Sequence, residues 1–270
     1  MTNAIKKTMG KYYRPISIIQ SKMPESSLRN KAKCFYYNHA FSRGKWRLSY
    51  KDKAYILDIC GIKAKYCTNP FSDLTSLVGY LEYWERGKSG LVIDAGGFEG
   101  IFSVCAGILT GSAGKVLVLE PFPESSIKIE ENIALNKLHN VKVFGYAVWH
   151  REERLILDVS NPHAAALASS SGDRRIEVVG KKLDDILKET NLDGPVSLIK
   201  MDIEGAEIQA LHGCEEIIAR WKPQFIVASY HIVDGEPTTK RVEEFLLKRD
   251  YEVKTVFKEH PLTVGYPNNR

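Results

Sequence analysis

From about residue 90 onward, apolar and polar positions alternate between short apolar runs and longer segments of helical period. "GLVIDAGG" is a short apolar run closed by turn residues, and "GIFSVCAGILTG" after it reads as a helix. "KVLVLEP" predicts a second strand, "PESSIKIEENIALNKLHN" a helix, and "VKVFGYAVW" a third strand. Further on, "VSLIKMD" predicts a strand, "AEIQALHGCEEIIARW" a helix broken at Gly213, "QFIVASY" a strand and "TKRVEEFLLKRD" a helix. "YEVKTVF" and "LTVGY" close the series as strands. Such alternation predicts an α/β fold with a parallel, doubly wound sheet. Runs such as "VLVL" suit strands covered on both faces. Ligands of these sheets sit beyond the carboxyl ends of the strands, so candidate chemistry is sought there.

Two regions depart from this rhythm. In 151–180, "RLILDVS" and "RIEVVG" predict strands joined by "NPHAAALASSSGD", a loop long enough to act as a lid. Before residue 88, "WRLSYKDKAYILDICGIKAKYCT" (46–68) has a polar turn and Gly61 between β-rich runs, which predicts a small antiparallel hairpin or meander. "DLTSLVGYLEYWERG" (73–87) predicts a helix starting at Asp73, with Leu74, Leu77, Val78 and Leu81 at helical spacing. The expected division is an N-terminal extension, 1–88, and a main domain, 89–270.

Charge sharpens that division. Residues 1–53 carry 13 Lys and Arg against two acids, a net +11, whereas the whole chain is +5. The bias points to an anionic partner for residues 1–53, RNA or a membrane surface, or to a solvated basic face. Tyr12, Tyr13, Phe35, Tyr36, Tyr37, Phe41 and Trp46 are interleaved with these charges. They can stack on bases or form the core of the N-terminal elements. Five cysteines without a C-x-x-C imply reduced thiols and a cytoplasmic setting. No apolar run reaches the length of an integral membrane segment, and the N-terminus does not read as a signal peptide.

Asp94 closes the first strand, and Gly96, Gly97 and Gly100 follow. Glycines there permit a tight turn and a close backbone approach to a ligand at a helix N-terminus. A nicotinamide-type G-x-G-x-x-G starting at Gly96 would need glycines where Phe98 and Ile101 stand, so a nicotinamide oxidoreductase is disfavoured. Glu120, 20 residues beyond Gly100 at the second strand's end, can accept ribose hydroxyls. Phe122 can pack on an adenine face or in the core. Tyr146 and Ala147, read as the end of the third strand, are candidates to lie near the adenine.

The stretch "LIKMDIEGAE" (198–207) forms the fourth strand, expected beside the first. Lys200 and Asp202 lie two apart and share a strand face, so Asp202 is the expected partner of the buried lysine. Glu207 suits a helix start. His231 ends the fifth strand and titrates near neutrality. Asp202, Glu204 and His231 are the candidate catalytic residues, as bases for an acceptor hydroxyl; His163, in the lid-like loop, is a further one. The same three offer oxygen and imidazole donors suited to a divalent cation. No spacing enforces such a site, and no metal is assigned.

In order, "VIDAGGFEG" (92–100), "LEPFP" (119–123), "ENIALNKLHNVKVFGYAV" (131–148), "KKLDDIL" (181–187) and "LIKMDIEGAE" (198–207) resemble the FkbM-type family of class I S-adenosylmethionine-dependent methyltransferases. The resemblance covers about residues 90–250; Phe98 stands where many members have Asn. It implies a class I (Rossmann-like) methyltransferase fold, S-adenosylmethionine as cofactor, and transfer to a hydroxyl of a small molecule, sugar or glycan. It also implies that Asp94, Gly96 and Gly100 form motif I, that Glu120 holds the ribose, and that Asp202 and Glu204 flank the reaction centre. An RNA methyltransferase is the alternative, favoured by the basic segment and by "ENIALN", which some tRNA methyltransferases share. Against it, "DIEG" stands where enzymes that methylate base amino groups carry an Asn/Asp-Pro-Pro-aromatic motif. A scaffold that kept the fold without activity is disfavoured by the charged strand ends.

Overall fold

The structure is a computed structural model that describes residues 23–87, 90–160, 166–167, 174–192, 194–256 and 260–268. Tyr12, Tyr13, His163 and most of the loop around it lie outside these residues. The chain falls into two compact units, Met1–Ser72 and Asp73–Arg270.

In the first unit, helix α1 (Ser27–Ala40) precedes an antiparallel meander of β1 (Trp46–Lys51), β2 (Ala54–Ile59) and β3 (Ile62–Tyr66). Ser26 caps the helix by accepting from the Arg29 amide, as a small hydroxyl at this position does. Asn38 ties helix to sheet: its amide donates to the Leu48 carbonyl and its oxygen accepts from the Leu48 N–H, both at 2.7 Å. The Tyr37 ring stacks 3.7 Å from that of Phe71, against which Phe41 and Trp46 also pack. Tyr37 and Trp46 are buried and Phe41 and Phe71 half-buried, whereas Phe35 is exposed.

The second unit opens with α2 (Leu74–Tyr83), ahead of the composition break at residue 88. Packing explains this: a Cβ on Gly79 would lie 2.6 Å from Leu262, and Leu77, Tyr80 and Leu81 are buried. There follow β4 (Leu91–Ala95), α3 (Ile101–Thr110), β5 (Lys115–Leu119), α4 (Pro123–Leu135) and β6 (Val141–Phe144). Next come β7 (Tyr146–Val148), β8 (Glu153–Asp158), β9 (Ala166–Leu167), β10 (Arg175–Lys181) and α5 (Leu183–Thr190). The remainder is β11 (Val196–Met201), α6 (Glu207–His212), α7 (Glu215–Trp221), β12 (Gln224–Ala228), β13 (Ile232–Val233), β14 (Glu236–Pro237), α8 (Thr239–Leu247), β15 (Tyr251–Val256) and β16 (Leu262–Pro267).

Seven strands form the central sheet in the order β15-β16-β12-β11-β4-β5-β6. The five from β12 to β6 are parallel; β16 runs antiparallel to β12, and the edge strand β15 antiparallel to β16. This is a Rossmann-like α/β fold with the fourth strand of the alternation beside the first. Val116, Leu117, Val118 and Leu119 are all buried, as strands covered on both faces require. Among the described residues, no helix is long and apolar enough to cross a membrane.

One predicted strand is two. "VKVFGYAVW" ends its run in the central sheet at Phe144, and after Gly145 the chain leaves it. Strand β7 then pairs in parallel with β10 in a separate sheet, β7-β10-β8-β9. The helix break at Gly213 is present, between α6 and α7, and its cause is contact: a Cβ there would lie 2.1 Å from the Trp149 carbonyl oxygen. Gly213→Ala is expected to destabilise the fold by about 1–3 kcal/mol, the usual effect of overpacking, read as a lower urea midpoint. A wild-type midpoint would mean that the Trp149 segment yields freely.

Candidate functional site at the strand ends

The centre of the site is a buried charge pair. Lys200 and Asp94 face each other in register on neighbouring strands β11 and β4. The Lys200 ammonium donates to Asp94 Oδ1 at 2.8 Å and to the Gly96 carbonyl at 2.7 Å. Ser103 donates to the other Asp94 oxygen. The expected Lys200–Asp202 pairing is therefore corrected. Strand β11 ends at Met201, so the two-residue alternation does not extend to Asp202, while the cross-strand neighbour lies directly opposite. Burial opposes the charge on Lys200, but Asp94 and then Asp202 outweigh it and raise its pKa.

Three glycines shape the turn after β4, and the protein itself fills the space that they leave. Gly96 has φ +79°, and a Cβ on it would sit 2.0 Å from the Asp202 carbonyl oxygen. A Cβ on Gly97 would meet Val118 at 2.4 Å, and one on Gly100, φ +77°, would meet Ile129 at 3.1 Å. The turn is thus clamped between the end of β11 and helix α4. The amides of Phe98 and Phe122 donate to the two oxygens of Glu120, at 2.8 and 2.9 Å. Burial pushes the Glu120 pKa up to about 7, against the pull of these two amides.

Three candidates for the adenine face are placed differently. Phe122 is buried in a small cluster with Leu157, Val159 and Val178, and the Arg174 guanidinium lies 5.7 Å from its ring centre. Tyr146 and Ala147 belong to β7, off the central sheet. The Tyr146 ring carries the Lys181 ammonium at 4.8 Å, and Ala147 packs against the Phe122 cluster. Position 145 stands instead where the third strand ends, and a Cβ on Gly145 would meet nothing within 4 Å.

Beyond β11 and β12 lies the acidic cluster. The Asp202 amide donates to the Ala95 carbonyl at 3.1 Å, which fixes the residue against β4. Asp202 Oδ2 accepts from the Tyr80 hydroxyl at 2.7 Å, and Oδ1 accepts a long 3.5 Å bond from that of Tyr230. Burial, and next Asp202, keep the Tyr80 phenol protonated well above its ordinary range. His231 Nε2 sits 3.6 Å from Asp202 Oδ1 and 3.5 Å from Glu204 Oε2. On its other side, Nδ1 is 2.8 Å from Glu207 Oε1, close but outside hydrogen-bond alignment. Burial alone would lower the His231 pKa; Glu207 foremost, with Asp202 and Glu204, outweighs burial and raises it. Glu204 takes a left-handed backbone, φ +54°, and burial raises its carboxyl pKa. Oxygen and nitrogen atoms of Asp202, Glu204 and His231 all lie within 4.8 Å of one another. Tyr80 and Glu207 join the site without a signal in the sequence: Tyr80 is 122 positions from its partner, and a helix start is sufficient reason for Glu207.

A family model described as the methyltransferase FkbM domain matches residues 94–253. The chain belongs to that family. Its strand-end glycines, Glu120 and the Asp202–Glu204 turn all fall inside the FkbM match. Among solved structures it is similar to a methyltransferase FkbM from Methylobacillus flagellatus, at 18% identity over 73% of this chain and 54% of that one, with a TM-score of 0.49. The FkbM chain described here thus spans about half the length of that protein. It is also similar to a precorrin-6y C5,15-methyltransferase from Geobacter metallireducens, at 13% identity over 72% and 88% of the two chains and a TM-score of 0.47. A ribosomal protein L11 methylase from Lactobacillus delbrueckii is similar at 13% identity over 72% and 78%, with a TM-score of 0.43. No curated protein matches the chain.

Proposed function

We propose that the chain is an S-adenosylmethionine-dependent methyltransferase acting on a hydroxyl of a small molecule, sugar or glycan in the cytoplasm. Its catalytic part is Asp73–Arg270, which extends the expected 89–270 back to α2 because Tyr80 holds Asp202. The observation that carries the reading is convergence. The glycine turn after β4, Glu120 after β5 and the Asp202–Glu204 turn after β11 meet at the same carboxyl ends, within the FkbM match. The residues fit the cofactor: a Glu120 carboxylate held by two amides beside open space at Gly145 suits a ribose.

S-adenosylmethionine supplies an electrophilic methyl group on a sulfonium. The protein's part is to align the acceptor oxygen and to take its proton. Asp202, Glu204 and His231 face the end of the fourth strand, where a hydroxyl reaches them. Tyr80 fixes the Asp202 rotamer, and the Asp202 amide on Ala95 couples that side chain to the glycine turn. Five cysteines without a C-x-x-C support a reducing compartment. The RNA alternative retains the basic charge of residues 1–53, but Tyr37, Phe41 and Trp46 are engaged with Phe71. A gel shift with tRNA at physiological salt is expected to show no complex.

The cofactor reading is tested by calorimetry with S-adenosylhomocysteine. Only ionised Glu120 can accept two ribose hydroxyls, and its pKa is raised to about 7. Affinity is therefore expected to grow about tenfold between pH 6 and 8, as the ionised fraction does, and Glu120→Gln should flatten that rise. Stability runs the other way: an acid whose folded pKa is raised stabilises the fold at low pH and loses that contribution as pH climbs through 7. If no S-adenosylhomocysteine bound at any pH, the methyltransferase reading would fall.

A further inference from the structure

We propose that Asp202, Glu204 and His231 hold one divalent cation, which binds the acceptor hydroxyl; the second clause rests on the methyltransferase reading, the first does not. The motivating observation is the state of His231. Its side chain is 8% exposed, and Nε2 is buried without a hydrogen-bond partner. A buried polar atom left unpaired is unfavourable. Nε2 nevertheless points between two carboxylate oxygens, at 3.6 and 3.5 Å. Neither contact makes a hydrogen bond. The separations suit two ligands of one ion: at about 2.1 Å from the metal, ligand atoms lie about 3.0 Å apart at right angles and about 4.2 Å apart in line.

The surroundings are built as a metal site's outer layer is. A metal-bound histidine ordinarily turns its second nitrogen to a carboxylate, and His231 Nδ1 is 2.8 Å from Glu207 Oε1. Glu207 is fully buried, and its Oε1 accepts from the Gly205 and Ile203 amides at 3.1 and 3.4 Å, so it cannot swing away. Tyr80 engages Asp202 Oδ2 at 2.7 Å; Oδ1 lies 3.6 Å from Nε2 and takes only a long 3.5 Å bond, from the Tyr230 hydroxyl. The left-handed backbone at Glu204 brings its carboxylate to the same point. Two carboxylates neutralise a divalent charge, and three protein ligands leave positions open for water or substrate. A ligated hydroxyl would lose its proton more readily. The oxygen-rich set with one imidazole suits Mn²⁺, and also Mg²⁺ or Co²⁺.

Mn²⁺ is the probe, because this hard ion has little affinity for cysteine thiols. The tag-free chain is stripped with EDTA, desalted and titrated while the signal of free Mn²⁺ is read by electron paramagnetic resonance. One Mn²⁺ per chain is expected, with ¹⁴N coupling from one imidazole in the pulsed spectrum. His231→Gln and Asp202→Asn should weaken binding at least tenfold, and Glu207→Gln by about 10–100-fold. Glu177→Gln, on the exposed face of β10, should change nothing. Absence of uptake below 1 mM, or uptake by wild type without ¹⁴N coupling, overturns the proposal and needs no variant. Calorimetry with S-adenosylhomocysteine on the same samples separates the two readings. A chain that binds S-adenosylhomocysteine but not Mn²⁺ sinks the cation alone; one that binds Mn²⁺ but not S-adenosylhomocysteine sinks the methyltransferase reading and leaves the site.

Discussion

Lys200→Met is expected to lower the unfolding free energy by about 3–5 kcal/mol, the loss seen when one partner of a buried ion pair is removed. Asp94 is fully buried and Lys200 nearly so. The ammonium bonds Asp94 and the Gly96 carbonyl, and lies 5.4 Å from the Tyr80 ring centre and 5.9 Å from that of Phe102. Without the lysine, Asp94 keeps Ser103 as its donor but loses its counter-charge. The double replacement Asp94→Leu/Lys200→Met removes both charges and should recover to within about 2 kcal/mol of wild type, since apolar substitutes for whole buried pairs are well tolerated. Recovery of the fold should not restore S-adenosylhomocysteine binding, because the Gly96 turn has lost the side chain that holds its carbonyl. Urea unfolding at 25 °C and calorimetry read the two effects separately. A single variant as stable as wild type would show that the pair contributes little; a double variant that binds normally would show that the turn holds itself.

How legible this was differs by element. The strand-helix rhythm is written locally, in runs such as "VLVL" that have one stable use, a strand buried on both faces. Where a strand finds its partner is not local. "VKVFGYAVW" is continuous in apolar pattern, yet Tyr146 and its neighbours pair with β10, more than 30 positions later. Lys200 illustrates the same limit. Side-chain alternation along one strand nominates Asp202, whereas register across strands selects Asp94, and register appears only once β4 and β11 are adjacent. The candidate site divides along the same line. Asp202, Glu204 and His231 are legible because each lies at the end of a predicted strand. Glu207 behind His231 and Tyr80 behind Asp202 come from elements whose sequence gives other sufficient reasons for them: a helix start and an apolar helix face. Gly96 has a double reading. A glycine after a strand suggests room for a ligand, while here its missing Cβ admits the Asp202 carbonyl.

Glu204→Asn is expected to leave stability within about 1 kcal/mol of wild type, since asparagine tolerates the left-handed region better than most residues, and to cut turnover by about 10²–10⁴-fold, the usual contribution of a placed proton-transfer group. The backbone at position 204 has φ +54°. A glutamate gains nothing from that conformation, which favours glycine or asparagine. Its carboxylate is also about two-thirds withdrawn from water, 3.5 Å from His231 Nε2. A residue that is unfavourable in backbone and in charge solvation, at a strand end beside an imidazole, is the kind of local conflict a functional site keeps. The split between stability and turnover is therefore the discriminating readout. His231→Gln is the companion variant. It should reduce turnover similarly but also destabilise the fold, because it removes the imidazole that packs 2.8 Å from the fully buried Glu207. Adding Glu207→Gln to it should return the stability and not the turnover. If Glu204→Asn kept wild-type turnover with the true acceptor, the carboxylate would have no part in the reaction, and the proton would have to leave through Asp202 or His231.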